Sequence, residues 1–202
     1  EKFSEGGWLT LVITSGLTVL CFFIKRHYGE VVSAIRRIDK HLPGPEEGEQ
    51  AMLLYGEPPR APATGLPDSR LPVAVVFVGG YGGLGRRALL TLLRMFPGHF
   101  RGVVFVSVAV VDSDAFKGTA EVAALEERTR RSLEAYEKFG RALGLPSASR
   151  YAIGTEVAVE GEKLGIALLD EYPQALVVAG QIIFDEDTTW NRLLHNETAF
   201  LI

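Results

Sequence analysis

The sequence predicts an α/β domain with a doubly wound parallel sheet, preceded by one transmembrane helix and an amphipathic helix. The runs VAVVFV and VVFVSVAVV are apolar on both faces, and longer helical patterns separate such runs. Strands of this kind are typical of a parallel sheet that is buried between two helix layers. Near the N-terminus, WLTLVITSGLTVLCFFI carries no charged side chain and is long enough to span a bilayer.

Composition excludes several classes of protein. Of the 202 residues 47% are hydrophobic and 23% are charged, which excludes a chain that is disordered throughout. The net charge is -4, and the chain outside its basic segment is acidic, so we expect no nucleic-acid partner. A single cysteine, Cys21, excludes an internal disulfide framework. Because Glu1 is not a methionine and a helical pattern runs up to Ile202, we expect a piece of a longer protein, with a final strand beyond it.

The chain divides into four predicted segments. These are a last transmembrane helix (1–24), a basic juxtamembrane amphipathic helix (25–42), a Pro-rich linker (43–72) and an α/β cytoplasmic domain that is truncated at its C-terminus (73–202). The apolar patch Ala51 to Tyr55 in the linker is predicted either to add an edge strand or to dock on a partner. The predicted strands of the domain are Val73–Val78, Gly102–Val111, Arg150–Ile153 and Leu176–Ala179, and its predicted helices are Leu84–Met95, Thr119–Leu143, Val157–Tyr172 and one from Thr189.

The charges beside the apolar run predict its orientation. Lys25 and Arg26 follow the run directly, so the positive-inside bias places its C-terminal side in the cytoplasm. Small residues such as Gly16 favour close packing against the remaining transmembrane helices of the same protein. A buried core helix and a signal peptide are the alternatives, but a signal peptide has its positive charges before the apolar run.

The basic segment after the run has an amphipathic pattern. Val31, Ile35, Ile38 and Leu42 form one apolar stripe at helical spacing. Either this helix lies along the anionic surface of the lipid bilayer, or its stripe packs on the soluble domain or a neighbouring subunit, as in a homodimer. The residues predicted to face the membrane surface are Lys25, Arg26, Arg36, Arg37 and Lys40.

A glycine-rich turn follows the first predicted strand. In VFVGGYGGLGRRALL the glycines match G-x-G-x-x-G between a strand and a helix, where backbone amides and the helix N-terminus favour a phosphate. An acidic residue about 27 positions further on would meet a ribose hydroxyl. The same glycines also serve tight packing alone, and both interpretations stay open. The candidate ligand-binding residues are Gly80, Gly82, Gly83, Gly85, Arg86 and Asp112.

No arrangement of residues predicts catalysis. The four histidines lie far apart in sequence, and no Ser or Cys occupies a nucleophile-elbow pattern. Asp112 and Asp114, and the acidic residues 185–187, are more typical of solvated turns than of a cation site. The sequence therefore predicts no enzyme, no metal site and no cofactor, apart from a candidate nucleotide ligand at the glycine turn.

Three stretches carry a family resemblance: GGWLTLVITSGLTVLCFFIKRHY, VVFVGGYGGLGRRALLTLLRMFPGHFRGVVFVSVAVVDS and LLHNETAF. Together they resemble the C-terminal region of bacterial permeases of the amino acid-polyamine-organocation superfamily, including amino acid permeases and potassium-proton symporters. The resemblance implies a cytoplasmic domain similar to universal stress proteins, with a Rossmann-like fold, that regulates a secondary-active transporter in the inner membrane of a bacterium.

The resemblance also implies a ligand in some members. Certain potassium symporters of this kind bind a cyclic dinucleotide in such a domain, which implies a nucleotide or cyclic-dinucleotide sensor at the turn from Gly80 to Gly85. After LVVAG, however, the chain reads QIIFDEDTTW and lacks the G-x2-G-x9-G-[ST] loop that holds ATP phosphates in universal stress proteins. The resemblance therefore does not extend to ATP binding.

Overall fold

The computed structural model describes residues 8–41, 44, 47–54, 61–111 and 119–180, of which residues 27, 28, 30–41, 49, 54 and 119 are described by their backbone alone. The chain forms two compact units, Glu1–His41 and Leu42–Ile202. The first unit contains one helix, and the second contains the α/β domain. Each unit is described separately below.

Helix α1 (Trp8–His41) makes up the described part of the first unit. It runs for 34 residues without a break at the predicted boundary between residues 24 and 25. Its stretch Trp8–Arg26 is long and apolar enough to cross a membrane, and none of that stretch is buried. The hydroxyl of Thr14 donates to the carbonyl of Thr10 at 2.8 Å, so the polar side chain is satisfied within the helix.

The second unit is built on a four-stranded sheet. Its strands are β1 (Val73–Phe77), β2 (Gly102–Val110), β3 (Ser147–Gly154) and β4 (Ala175–Ala179). All pairings are parallel and the strand order is β3-β2-β1-β4, with Val75 paired to Val104 on one side and to Val177 on the other. The predicted α/β class with a parallel sheet is confirmed.

Successive strand residues point to opposite sides of the sheet. Both faces therefore present apolar side chains, and helices cover both faces. Ala74 and Val76 of β1 belong to one hydrophobic core, and Val73 and Val75 belong to the other. The first core is completed by α2 (Gly48–Leu54), α3 (Gly83–Met95) and α4 (Thr119–Ala142), whereas α5 (Val157–Glu171) completes the second.

Helix α2 is the main difference from the predicted organisation. The segment 43–72 was expected to be a linker, yet Met52 within it is 1% exposed and belongs to the first core. Gly48 packs so closely on Ala142 of α4 that a Cβ would overlap the backbone there. Within this patch Ala51 and Met52 are buried in the core of the same domain and Leu53 is exposed, so its described residues form a helix and not the predicted edge strand.

Strand β3 is longer than predicted, and its first residues show why. Ser147 and Ser149 interrupt the apolar pattern, but their hydroxyls have internal partners. The hydroxyl of Ser147 donates to Leu145 O at 2.7 Å, and that of Ser149 donates to Glu137 Oε1 at 2.6 Å. Serines whose hydroxyls are hydrogen-bonded can occupy a strand that packs on the core, although the apolar pattern of the sequence does not predict the strand there. The helix predicted from Thr189 lies outside the described residues.

Candidate functional site

The loop after β1 lies where ligands commonly bind in doubly wound sheets. From β1 the chain passes through α3 to β2, which lies on one side of β1. From β3 it passes through α5 to β4, which lies on the other side of β1. The crevice at the carboxyl ends of the strands, where the strand order reverses, is the usual ligand site of such sheets. Residues 78–82 follow β1 at this end of the sheet, and the Val78 amide continues the pairing toward β2 by donating to Val106 O at 2.8 Å.

A cleft of about 510 Å³ opens beside this loop. Its floor is formed by the loop after β1 and the carboxyl half of β2, and α4 forms its wall. A volume of this size accommodates a small-molecule ligand. The lining residues are Gly79, Gly80, Ser107, Val108, Ala109, Val110, Leu125, Arg128, Thr129, Arg131 and Ser132.

The two arginines of the cleft differ in their charge partners. Arg131 Nε donates to Glu127 Oε1 at 2.7 Å, so its charge is neutralised locally. Hydrogen bonds from Arg130 and from Arg131 hold the pKa of Glu127 below its usual range. Arg128 instead donates through Nε to Ala124 O at 3.2 Å, and within the described ranges no carboxylate lies within 4.0 Å of its guanidinium nitrogens. Among the described lining residues the cleft therefore has one arginine without an acidic partner, which suits an anionic ligand.

Tyr136 of α4 holds the glycine turn in place. Its hydroxyl accepts a hydrogen bond from the Gly82 amide at 3.2 Å. The same hydroxyl donates toward the carbonyl oxygens of Gly80 and Gly82, each 3.3 Å away. The Tyr136 ring is stacked on Phe105 of β2 with 5.1 Å between the ring centroids. The amide of Gly82 is thus engaged by a core side chain, which favours the packing role of this glycine.

Gly85 and Gly80 of the turn have different surroundings. A Cβ at Gly85 would overlap the hydroxyl and the ring of Tyr136, so the close packing of α3 on α4 requires glycine there. A Cβ at Gly80 would have no neighbouring atom within 4 Å, and this residue lines the cleft. Gly80 is therefore an exposed residue of the cleft, and its role in binding a ligand stays a prediction.

Arg86 does not line the cleft. Its side chain is 6% exposed, and its guanidinium carbon lies 5.3 Å from the ring centroid of Tyr81. Such a cation–π contact stabilises the turn from the side of α3. Tyr81 in turn makes an edge contact with Tyr136, with 4.8 Å between the ring centroids. Arg86 therefore belongs to the packing of the turn.

The remaining predicted residues are placed as follows. Gly83 is the buried first residue of α3, and Asp112 lies outside the described residues. Lys25 and Arg26 are exposed at the end of the apolar stretch of α1. The other predicted membrane-surface residues lie in α1 but are described by their backbone alone, namely Arg36, Arg37 and Lys40.

Two residues of the site, Arg128 and Tyr136, were missed by sequence reasoning. Tyr136 follows Leu133 and precedes Phe139 on the buried stripe of α4. A tyrosine in such a stripe needs a partner for its hydroxyl, which is a signal that it meets backbone or another polar group. Arg128 lies among several arginines and glutamates of the same helix, and sequence alone does not distinguish the arginines that line the cleft from the others.

Comparisons of the chain with protein-family models, with curated proteins and with solved structures give no match. The four-stranded parallel sheet establishes the fold class without establishing a fold family. The resemblance to the C-terminal region of transporter permeases therefore stays a prediction, and the function is argued below from the residues of this chain.

We expect Gly85→Ala to destabilise the domain, because the new Cβ overlaps Tyr136. Overpacking of this kind costs about 1–3 kcal/mol. Alanine is favoured over glycine inside a helix by about 1 kcal/mol, so a net loss would show that the overlap outweighs the gain in helix propensity. The measurement is the free energy of unfolding by chemical denaturation of the full chain.

Gly80→Ala is the matched control, because its Cβ meets open space, and it should leave the free energy of unfolding nearly unchanged. Introducing Gly85→Ala into a Tyr136→Phe background should cost less, because the nearest overlapping atom, the hydroxyl oxygen, is gone. Equal stability of the Gly85→Ala and Gly80→Ala proteins would contradict the packing role of Gly85.

Proposed function

We propose that this chain is a membrane-attached α/β domain that regulates a secondary-active transporter rather than catalysing a reaction. The observation that carries the proposal is the apolar stretch Trp8–Arg26 of α1, none of which is buried, joined to a separately packed α/β unit. The resemblance to permeases of the amino acid-polyamine-organocation superfamily supplies the class of transporter. In this proposal the α/β unit is cytoplasmic, and the apolar helix packs among the other helices of the transporter.

The exposed surface of α1 supports membrane attachment. Phe22 and Phe23 are 71% and 68% exposed, and neighbouring leucines and valines are about half exposed. So much apolar surface is costly in water, at about 25 cal/mol per Å². Lipid tails or other transmembrane helices would cover it. Lys25 and Arg26 follow at the end of the apolar stretch, where positive charge favours the cytoplasmic side.

A second candidate function is that of a sensor for a nucleotide or cyclic dinucleotide, and Arg128 favours it. This arginine lines the cleft beside Gly80 without an acidic partner among the described residues. Arginine is well suited to phosphate, because its guanidinium donates two parallel hydrogen bonds. Such a sensor would regulate transport only if the ligand bound one transport state more tightly than the other.

The membrane proposal predicts that the full chain stays in the membrane fraction after alkaline extraction. Leu17→Arg should release a large part of it, because an arginine near the centre of a transmembrane helix costs about 2.5–3.5 kcal/mol. Leu53→Arg is the control, since Leu53 is 60% exposed on α2 of the α/β unit. The measurement is the ratio of extracted to membrane-bound chain on immunoblots.

The orientation is tested in the same cells with Thr155→Cys in a Cys21→Ser background, because Thr155 is an exposed residue of the α/β unit. A cytoplasmic α/β unit predicts that this thiol reacts with a membrane-impermeant maleimide only after the cells are opened. Quantitative release of the unaltered chain by alkali, or labelling of the thiol in intact cells, would contradict membrane attachment or the orientation, respectively.

The sensor candidate predicts that one nucleotide among ATP, AMP, NAD and the cyclic dinucleotides stabilises the full chain. A ligand at 100 times its dissociation constant stabilises the folded state by about 2.7 kcal/mol. Arg128→Gln should weaken binding by about 10-fold or more, because it removes a charge-assisted hydrogen bond. The measurement is the thermal unfolding midpoint as a function of ligand concentration.

Lys138→Gln is the matched control, because Lys138 is an exposed cation of the same helix that does not line the cleft. It should bind the nucleotide like the unaltered chain. A folded protein whose midpoint none of the nucleotides moves would eliminate the sensor candidate and leave the regulatory proposal without a soluble ligand.

A further inference from the structure

At the amino ends of the strands, opposite to the cleft, two loops lie against each other. Residues 66–72 lead into β1, and residues 94–102 run from the end of α3 to the start of β2. For brevity we call both segments loops. The Arg101 amide donates to Pro72 O at 2.8 Å. Pro67 packs against Gly102 so closely that a Cβ there would lie 2.7 Å from the proline side chain. The two loops therefore present one continuous surface at the amino ends of the strands.

Four apolar side chains of these loops are exposed. Leu66 is 74% exposed, Met95 66%, Leu71 43% and Phe96 41%. We call these residues the amino-edge patch. Phe96 is held at the surface by an edge contact with the buried Phe100, with 6.1 Å between the ring centroids. Exposed apolar side chains on two segments that contact each other are candidates for a surface that contacts a partner or a membrane.

The same loops are basic in a chain that is acidic overall. Arg70, Arg94 and Arg101 are exposed, and Asp68 is the single carboxylate in the two loops. Asp68 pairs with Arg70 at 3.1 Å. These two segments therefore hold three arginines and one aspartate, whereas the whole chain carries a net charge of -4. Exposed apolar side chains combined with arginines are typical of surfaces that bind anionic membranes.

We propose that the amino-edge patch docks on the surface of an anionic bilayer, with its apolar side chains in the interface and its arginines at lipid phosphates. This inference rests on the proposed membrane attachment of the chain. A second copy is a poorer occupant, because a two-fold contact places the same patch on itself and brings the arginines of both copies together. An anionic lipid surface matches both the apolar and the basic side chains.

The test uses the full chain reconstituted into vesicles, in a Cys21→Ser background with an environment-sensitive fluorophore on Met95→Cys. The vesicles contain phosphatidylcholine either alone or mixed with phosphatidylglycerol. We expect the emission to shift to shorter wavelength in the anionic vesicles, because the fluorophore enters a less polar interface. A label on Thr155→Cys, an exposed site beyond the carboxyl end of β3, should show no shift.

Charge removal separates docking from membrane attachment. Arg94→Gln combined with Arg101→Gln should weaken the docking equilibrium by roughly 30-fold, since each arginine near an anionic surface contributes about a fivefold factor. Flotation of the vesicles with their bound chain should be unaffected, because neither arginine belongs to α1. Arg87→Gln with Lys138→Gln, which removes two exposed charges outside the two loops, should leave the shift unchanged.

Three results would overturn the inference. If the chain floats with the vesicles but the Met95 label does not shift, docking is absent while membrane attachment stands. A shift that appears in detergent without lipid and grows with protein concentration would identify a second copy as the occupant. If the chain does not float at all, the proposed membrane attachment fails together with the docking surface.

Discussion

The fold of the α/β unit depends on the burial of strand β1 on both of its faces. Val73 and Val75 point into one core and Ala74 and Val76 into the other, and all four are completely inaccessible to solvent. A slip of one residue would exchange the two sets and leave both cores with the wrong side chains. The central strand therefore fixes the register of β2 and β4, and with it the positions of the helices on either face.

Tyr136 connects the packing of the domain to its candidate site. Its ring belongs to the first core, while its hydroxyl binds the backbone of the turn after β1. The turn is thereby held in place beside the cleft, with Gly80 lining the cleft and the space beside Gly85 filled by the tyrosine. A change in the position of this turn would therefore disturb the packing of Tyr136 in the first core.

Much of the fold follows from the sequence, and the site follows only in part. Strands such as VAVVF were predicted correctly, because they are apolar on both faces and so specify a buried parallel strand. Helix α2 was not predicted, since a short helix gains its stability from packing against α4 rather than from its own sequence. The contact between Gly82 and Tyr136 spans 54 residues, so no local pattern reveals it. For the same reason, the selection of Arg128 over its neighbouring arginines depends on the tertiary fold.

Amide hydrogen exchange of the full chain tests the role of β1 most directly. If both cores depend on β1, the amides of Val75 and Val104 exchange only through global unfolding. The amides of Leu90 of α3 and Leu168 of α5 then lose protection at the same denaturant concentration. This single cooperative loss is the result we expect. The opposite result would be early exchange at Val75 while Leu90 and Leu168 stay protected, and it would contradict the dependence of the two cores on one strand.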